Sequence, residues 1–152
     1  PARKERGASI VELAFIAPVM VLLVLGVLDL GRAYQMNIRL ENAAREGAAF
    51  AQVYPNDATC GPSGSILGQV EAEEPGLSAS PDFDVEILGQ DDDGDWVELT
   101  GCTGTDGAAG ERVRVRVRTR YDIVTPIVAN VVGNSITLEG DAEVRVQGQV
   151  RS

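Results

Sequence analysis

Hydrophobic and polar positions alternate with three different periods along the chain, and each period predicts a different element. From Leu13 to Leu28 no side chain is charged, and only Pro18 and Gly26 interrupt the apolar series. Those sixteen residues would make a helix about 24 Å long at roughly 1.5 Å per residue, short of the ~30 Å hydrocarbon layer of a bilayer. Carried back to Ala8 the segment has 21 residues and reaches about 31 Å, enough to span. Glu12 then lies inside the span or at its edge. An ionisable group costs about 2.5–3.5 kcal/mol at a helix centre and less near the interface, so something must offset it. Pro18 lacks an N–H and is expected to kink the helix without ending it.

Beyond Asp29 the pattern turns amphipathic. Small or apolar residues recur at Ala33, Met36, Leu40, Ala43, Ala44, Gly47, Phe50, Ala51 and Tyr54, close to a 3.6-residue period. The spacing predicts that the helix continues to Val53 and ends at Pro55. Its Ala- and Gly-rich stripe lets another layer approach the backbone closely, the domain's own sheet for the most part and a partner for the rest.

The remaining segments read as strands, turns and short helices. "PNDATCGPSGS" is loop by composition and "SILGQVEAEEPG" a short helix. "FDVEIL" and "WVEL" predict two strands joined by "GQDDDGD", a hairpin with Asp93-Gly94 near its tip. "ERVRVRVRTRYDI" alternates strictly, with Val113, Val115, Val117, Tyr121 and Ile123 on one face of a half-buried strand. In "DIVTPIVANVVGN", Thr125 is placed as an N-cap, Pro126 in the first helical turn and Gly133-Asn134 at the exit. From Ile136 the even positions (Leu138, Gly140, Ala142, Val144, Val146, Gly148, Val150) carry the apolar face of one long strand, bent at Gly140. The sum is an α+β fold: a long N-terminal transmembrane spine helix with an antiparallel β-sheet packed on its extracytoplasmic half. Its divisions are a basic leader (1–7), a transmembrane helix (8–28), the continuation of that helix (29–54) and an acidic β-rich domain (55–152).

Charge gives the chain a direction. It carries 13 basic and 23 acidic residues, a formal net charge of -10. Arg3, Lys4 and Arg6 precede the apolar run and are expected to stay cytoplasmic by the positive-inside rule, placing everything after Asp29 outside. A cleaved secretory signal peptide is the competing reading. Against it, the apolar run exceeds the usual h-region, and the nearest small-x-small site, Ala49-Phe50-Ala51, lies far downstream. From Pro55 to Glu111 there are fourteen acids and no base. That acidity keeps a domain soluble and repels nucleic acid without specifying a substrate. The ladder Arg112, Arg114, Arg116, Arg118 and Arg120 needs screening, because like charges side by side are unfavourable. The acidic middle segment, in this domain or in another copy, is the expected partner. Nucleic acid is not, since no aromatics interleave with the arginines.

Candidate chemistry is sparse. There is no histidine, which removes the commonest general base, and no nucleophile elbow, so no enzyme activity and no cofactor are expected. Cys60 and Cys102 both follow the apolar run, and a pair in an exported domain more often forms a disulfide than a reactive site. Asp91, Asp93 and Asp95 have the alternate spacing of calcium-wrapping loops. Their glycine is misplaced for that pattern and no glutamate closes it, so a solvated turn is expected over a metal site.

Gly7 at the end of a short basic leader, Glu12 five positions on and an uninterrupted apolar helix resemble a type IV prepilin. More narrowly, "RGASIVELAFIAPVMVLLVLGVLDLGRAYQ", the continuation "ENAAREGAAFAQ" and the tail "VRVRVRTRYDIVTPIVANVVGNSITLEGDAEVRVQG" resemble the TadE-like family, minor pilins or pseudopilins of tight-adherence pilus systems. The resemblance implies a role in pilus assembly or initiation through helix packing in the membrane. It implies a prepilin peptidase cutting between Gly7 and Ala8, and other pilin-like subunits or assembly proteins as partners. It also implies that Glu12 of one subunit meets the new amine of Ala8 on the next, pairing two costly charges and fixing axial register. With the leader from Pro1 present, the chain reads either as a precursor or as a member that is not processed. The second case leads to the alternative role, an unprocessed pilin-like accessory or stabilising subunit of another envelope complex.

Overall fold

Only Pro18 interrupts the helix-compatible run at the head of the chain, and the helix continues through it. In the computed structural model, which describes residues 2–55, 64–91, 93–99 and 112–147, the first element is one helix, α1 (Ala2–Val53). The Tyr54 N–H still donates to the Phe50 carbonyl at 2.9 Å. Pro55 has no N–H to follow it, and the helix stops. Next come α2 (Ile66–Glu73), α3 (Pro75–Ser78), β1 (Asp84–Gln90), β2 (Trp96–Glu98), β3 (Arg112–Asp122), α4 (Pro126–Val132) and β4 (Ser135–Arg145). The strands form one four-stranded antiparallel sheet in the order β2-β1-β3-β4. The expected α+β architecture is therefore present.

The chain divides into two compact units, residues 1–34 with 122–136 and residues 35–121 with 137–152. In the second, the C-terminal half of α1 lies against the sheet. Leu40, Ala43, Ala44, Ala48 and Ala51 of α1 are buried with Ile66 and Val70 of α2, Ile87 of β1, Leu99, Val146, and Val113, Val115 and Val117 of β3. Burying each valine contributes about 1.5–3 kcal/mol. Alanines on the helix keep the layers close, and glycines close the remaining distance. A Cβ on Gly47 would come within 2.5 Å of Val70 Cγ2 and 3.3 Å of Val115 Cγ1. A Cβ on Gly140 would overlap the Leu40 carbonyl group and the Glu41 nitrogen, all backbone atoms.

Short elements are held by local hydrogen bonds. Ser65 caps α2, its Oγ accepting from the Gly68 N–H at 2.9 Å. The β1–β2 hairpin pairs Leu88 with Glu98 and Gln90 with Trp96, and it turns through Gly94 at φ +90°, a conformation that favours glycine.

Two details depart from the sequence reading. Tyr54, assigned to the buried stripe, is 48% exposed, because the helix ends beneath it, whereas Ala48 is buried. Thr125 occupies the N-cap of α4 but its side chain makes no capping hydrogen bond; it is engaged by Asp29 instead. As expected of one long strand, β4 runs unbroken through Gly140, where α1 passes too closely for a Cβ to fit.

In the first unit, residues 122–136 form a crossover against α1. The Ile123 N–H donates to the Asn134 carbonyl at 3.0 Å, and within α4 the Ala129 N–H donates to Thr125 and the Gly133 N–H to Ala129, each at 2.9 Å.

Candidate functional site

The apolar segment of α1 is left almost wholly uncovered by its own chain. Its most hydrophobic 18-residue window has a mean hydropathy of 2.7, and none of the window is buried. Phe15 is 76% exposed, with Ile10, Val11, Leu13 and Leu23 all more than half exposed. Side chains of this kind must be covered by lipid or by other helices, since hydrocarbon left in water is unfavourable at about 25 cal/mol per Å². Glu12 is exposed near the N-terminal end of this surface, between Val11 and Leu13. Gly7 and Ala8 lie one turn before it on the backbone of α1, and their side chains fall outside the described residues.

Where the apolar segment ends, Asp29 is buried at 5% exposure. Its Oδ2 accepts the Thr125 N–H at 2.8 Å, and the carboxylate also hydrogen bonds the Thr125 side chain. A buried carboxylate without partners would be costly. Here the backbone at the start of α4 supplies them, and the hydroxyl that would otherwise cap α4 is drawn away.

On the sheet the alternation of β3 puts its arginines on the face away from the core. Arg112 and Arg114 both donate to Glu143, at 3.0 and 2.9 Å. Arg116 meets Glu86 at 3.0 Å and Glu139 at 3.1 Å. Arg118 meets Glu139 at 2.9 Å and Glu86 at 3.1 Å, with Asp84 at 3.8 Å. Arg120 lies 3.8 Å from Asp82, and the Arg114 guanidinium sits 4.2 Å above the Trp96 ring. Hydrogen bonds from Arg114, then Arg112, hold the Glu143 carboxyl below the usual glutamate range, and the Glu139 hydrogen bond holds Arg118 above the usual arginine value. Arg116 Nε is buried without an aligned acceptor, so its 3.1 Å approach to Glu139 is a charge contact and not a hydrogen bond. A single exposed pair of this kind contributes about 0–1 kcal/mol; here the shared carboxylates tie the pairs into one network.

The acidic middle segment supplies only one side of this ladder, through Asp82, Asp84 and Glu86. The other side comes from Glu139, Asp141 and Glu143 of β4, the strand hydrogen-bonded to β3. Those three acids alternate with the same period of two as the arginines, which is the signal that pairs them.

At the hairpin tip, Asp91 Oδ1 accepts the Asp93 N–H at 3.1 Å and the Asp95 N–H at 2.8 Å. Its carboxylate closes the turn. Asp93 and Asp95 are exposed, and among the described residues no group of three His, Cys, Asp or Glu is placed to hold a metal ion. Cys60 and Cys102 lie outside the described residues, and with them the expected disulfide.

A helix of 52 residues with an apolar head, followed by a four-stranded antiparallel sheet, defines an α+β protein fitted for a single membrane pass. Over residues 7–49 the chain matches the family described as TadE-like protein, which agrees with the resemblance carried by Gly7, Glu12 and the apolar run. No curated protein and no solved structure matches the chain. The family match and the N-terminal apolar helix, the one such helix among the described residues, together support a membrane protein associated with a tight-adherence pilus.

Proposed function

We propose that the chain is a structural subunit and not an enzyme: a minor pilin or pseudopilin that takes part in assembling or initiating a tight-adherence pilus. Residues 8–28 cross the membrane, with Arg3, Lys4 and Arg6 on the cytoplasmic side and the acidic domain outside. A prepilin peptidase cuts after Gly7, and Glu12 accepts the freed amine of Ala8 on a neighbouring pilin-like subunit. The observation that supports this most is Glu12 itself, exposed among apolar side chains that their own chain leaves uncovered. Paired with a cation in a low-dielectric layer the carboxylate is tolerable; alone it is not.

The test is Glu12→Ala in cells that assemble the pilus. Membrane insertion should persist while incorporation into the filament, or filament output, is lost. Normal pilation by the Glu12→Ala strain would sink the proposal. Intact mass of the membrane-extracted chain decides its form: a terminus at Ala8 supports the processed pilin, and a retained leader supports the unprocessed accessory subunit.

A further inference from the structure

The crossover in the first unit has a feature that pilin-like register does not use. α4 packs at the place where α1 leaves its apolar segment: a Cβ built on Gly26 would lie 3.9 Å from Val128 Cγ2, and Asp29 Oδ2 is 2.8 Å from the Thr125 nitrogen. Gly26 is two residues short of Leu28, about 3 Å along the helix axis. From Ile123 to Leu138 the chain has no charged residue. Val124 is 64% and Ile127 51% exposed, and on α1, between the residues that meet the crossover, Val27 is 69% and Leu28 55% exposed.

We infer that the crossover, residues 123–134, is a second membrane-contacting element, with α4 lying in the interface of the leaflet that α1 leaves at Leu28 and its exposed apolar side covered by lipid. The occupant follows from continuity. The apolar surface of α4 adjoins that of a helix fitted to cross a bilayer, so the lipid that covers Val27 and Leu28 also reaches Val124 and Ile127. The N–H groups of Ile123, Thr125, Ala129 and Gly133 are hydrogen-bonded within the unit, and a position at the interface leaves water within reach of the uncapped first turn of α4. The Asp29 carboxylate at the same level is closed off by Thr125. Tyr34, further along α1 and 66% exposed, is of the residue type enriched at the water–lipid boundary.

The inference rests on α1 crossing the membrane and not on the pilus role, so a Glu12→Ala strain that pilates normally leaves it standing. The test places an indole at the exposed position, Ile127→Trp in a Trp96→Phe background, in the full chain reconstituted in phosphatidylcholine vesicles. Lipids brominated near the headgroup end of the acyl chain should quench the introduced indole about two-fold or more, and acrylamide should quench it weakly, as for a side chain at the acyl boundary. The result should persist on dilution to one chain per vesicle. Val124→Trp in the same background repeats the measurement should position 127 disturb folding. Water-like emission quenched by acrylamide and not by bromolipid would overturn the inference. So would blue-shifted emission that bromolipid fails to quench and that turns red on dilution, which would assign the face to a second copy. Failure to float with vesicles would overturn the membrane span and this inference together.

Discussion

Gly140 of β4 lies against the backbone of Leu40 in α1, so close that no Cβ fits between them. Gly140→Ala therefore forces helix and strand apart instead of displacing a side chain. Overpacking of this kind costs about 1–3 kcal/mol, occasionally more. Thermal unfolding of the full chain in detergent should show the loss. Gly31→Ala is the control, because a Cβ there meets nothing within 4 Å; it should leave stability unchanged or raise it by up to about 1 kcal/mol through helix propensity. Equal effects of the two substitutions would contradict the contact.

Gly47 presents the gentler form of the same restriction. The atom in the way is Val70 Cγ2, a side chain that can be shortened. Gly47→Ala should destabilise the wild-type background and do so less, or not at all, with Val70→Ala present. The coupling across the double-mutant cycle should be about 0.5 kcal/mol or more, read from chemical denaturation midpoints.

Removing the Asp29 carboxylate strands the Thr125 N–H. Asp29→Ala should cost about 1–3 kcal/mol, the usual penalty for a buried group left without its partner. Asp29→Asn keeps an acceptor oxygen and should cost less. Limited proteolysis within residues 123–134 should accelerate in the same order, Ala above Asn above wild type.

The ladder gives the second unit an acid-side pH dependence. The folded pKa of Glu143 lies below its ordinary value because Arg114 and Arg112 favour the carboxylate. Its contribution to stability is thus fully present above the unfolded value of about 4.3 and is lost as pH falls through the folded value. Wild type should melt at progressively lower temperature below roughly pH 5, and Glu143→Gln should flatten that slope while lowering stability at neutral pH. An unchanged slope in Glu143→Gln would remove the ladder from the explanation.

The elements were legible because each is periodic over its own length. Valines at 113, 115 and 117 announce a strand, and Leu40, Ala43, Ala44 and Ala51 a helix face, before any tertiary contact is considered. The TadE-like resemblance was legible in the head of the chain, and the family match over residues 7–49 agrees. What was not legible depends on which elements become neighbours. The acids of β4 are visible as alternating polar positions, yet only the strand order β1-β3-β4 sets them beside the arginines. Gly140 reads equally well as a bend or as a point of close approach until α1 is seen to pass there. Asp29 and Thr125 are 96 positions apart, and Thr125 alone looks like an ordinary cap.

The ladder nearly neutralises itself, five guanidiniums against six carboxylates. Almost the whole formal charge of -10 therefore arises elsewhere, prominently from Glu71 and Glu73 of α2, the neighbouring Glu74, and Asp91, Asp93, Asp95 and Glu98 of the hairpin. The sheet face is thus close to neutral, and the domain's excess negative charge is carried by its turns and short helices.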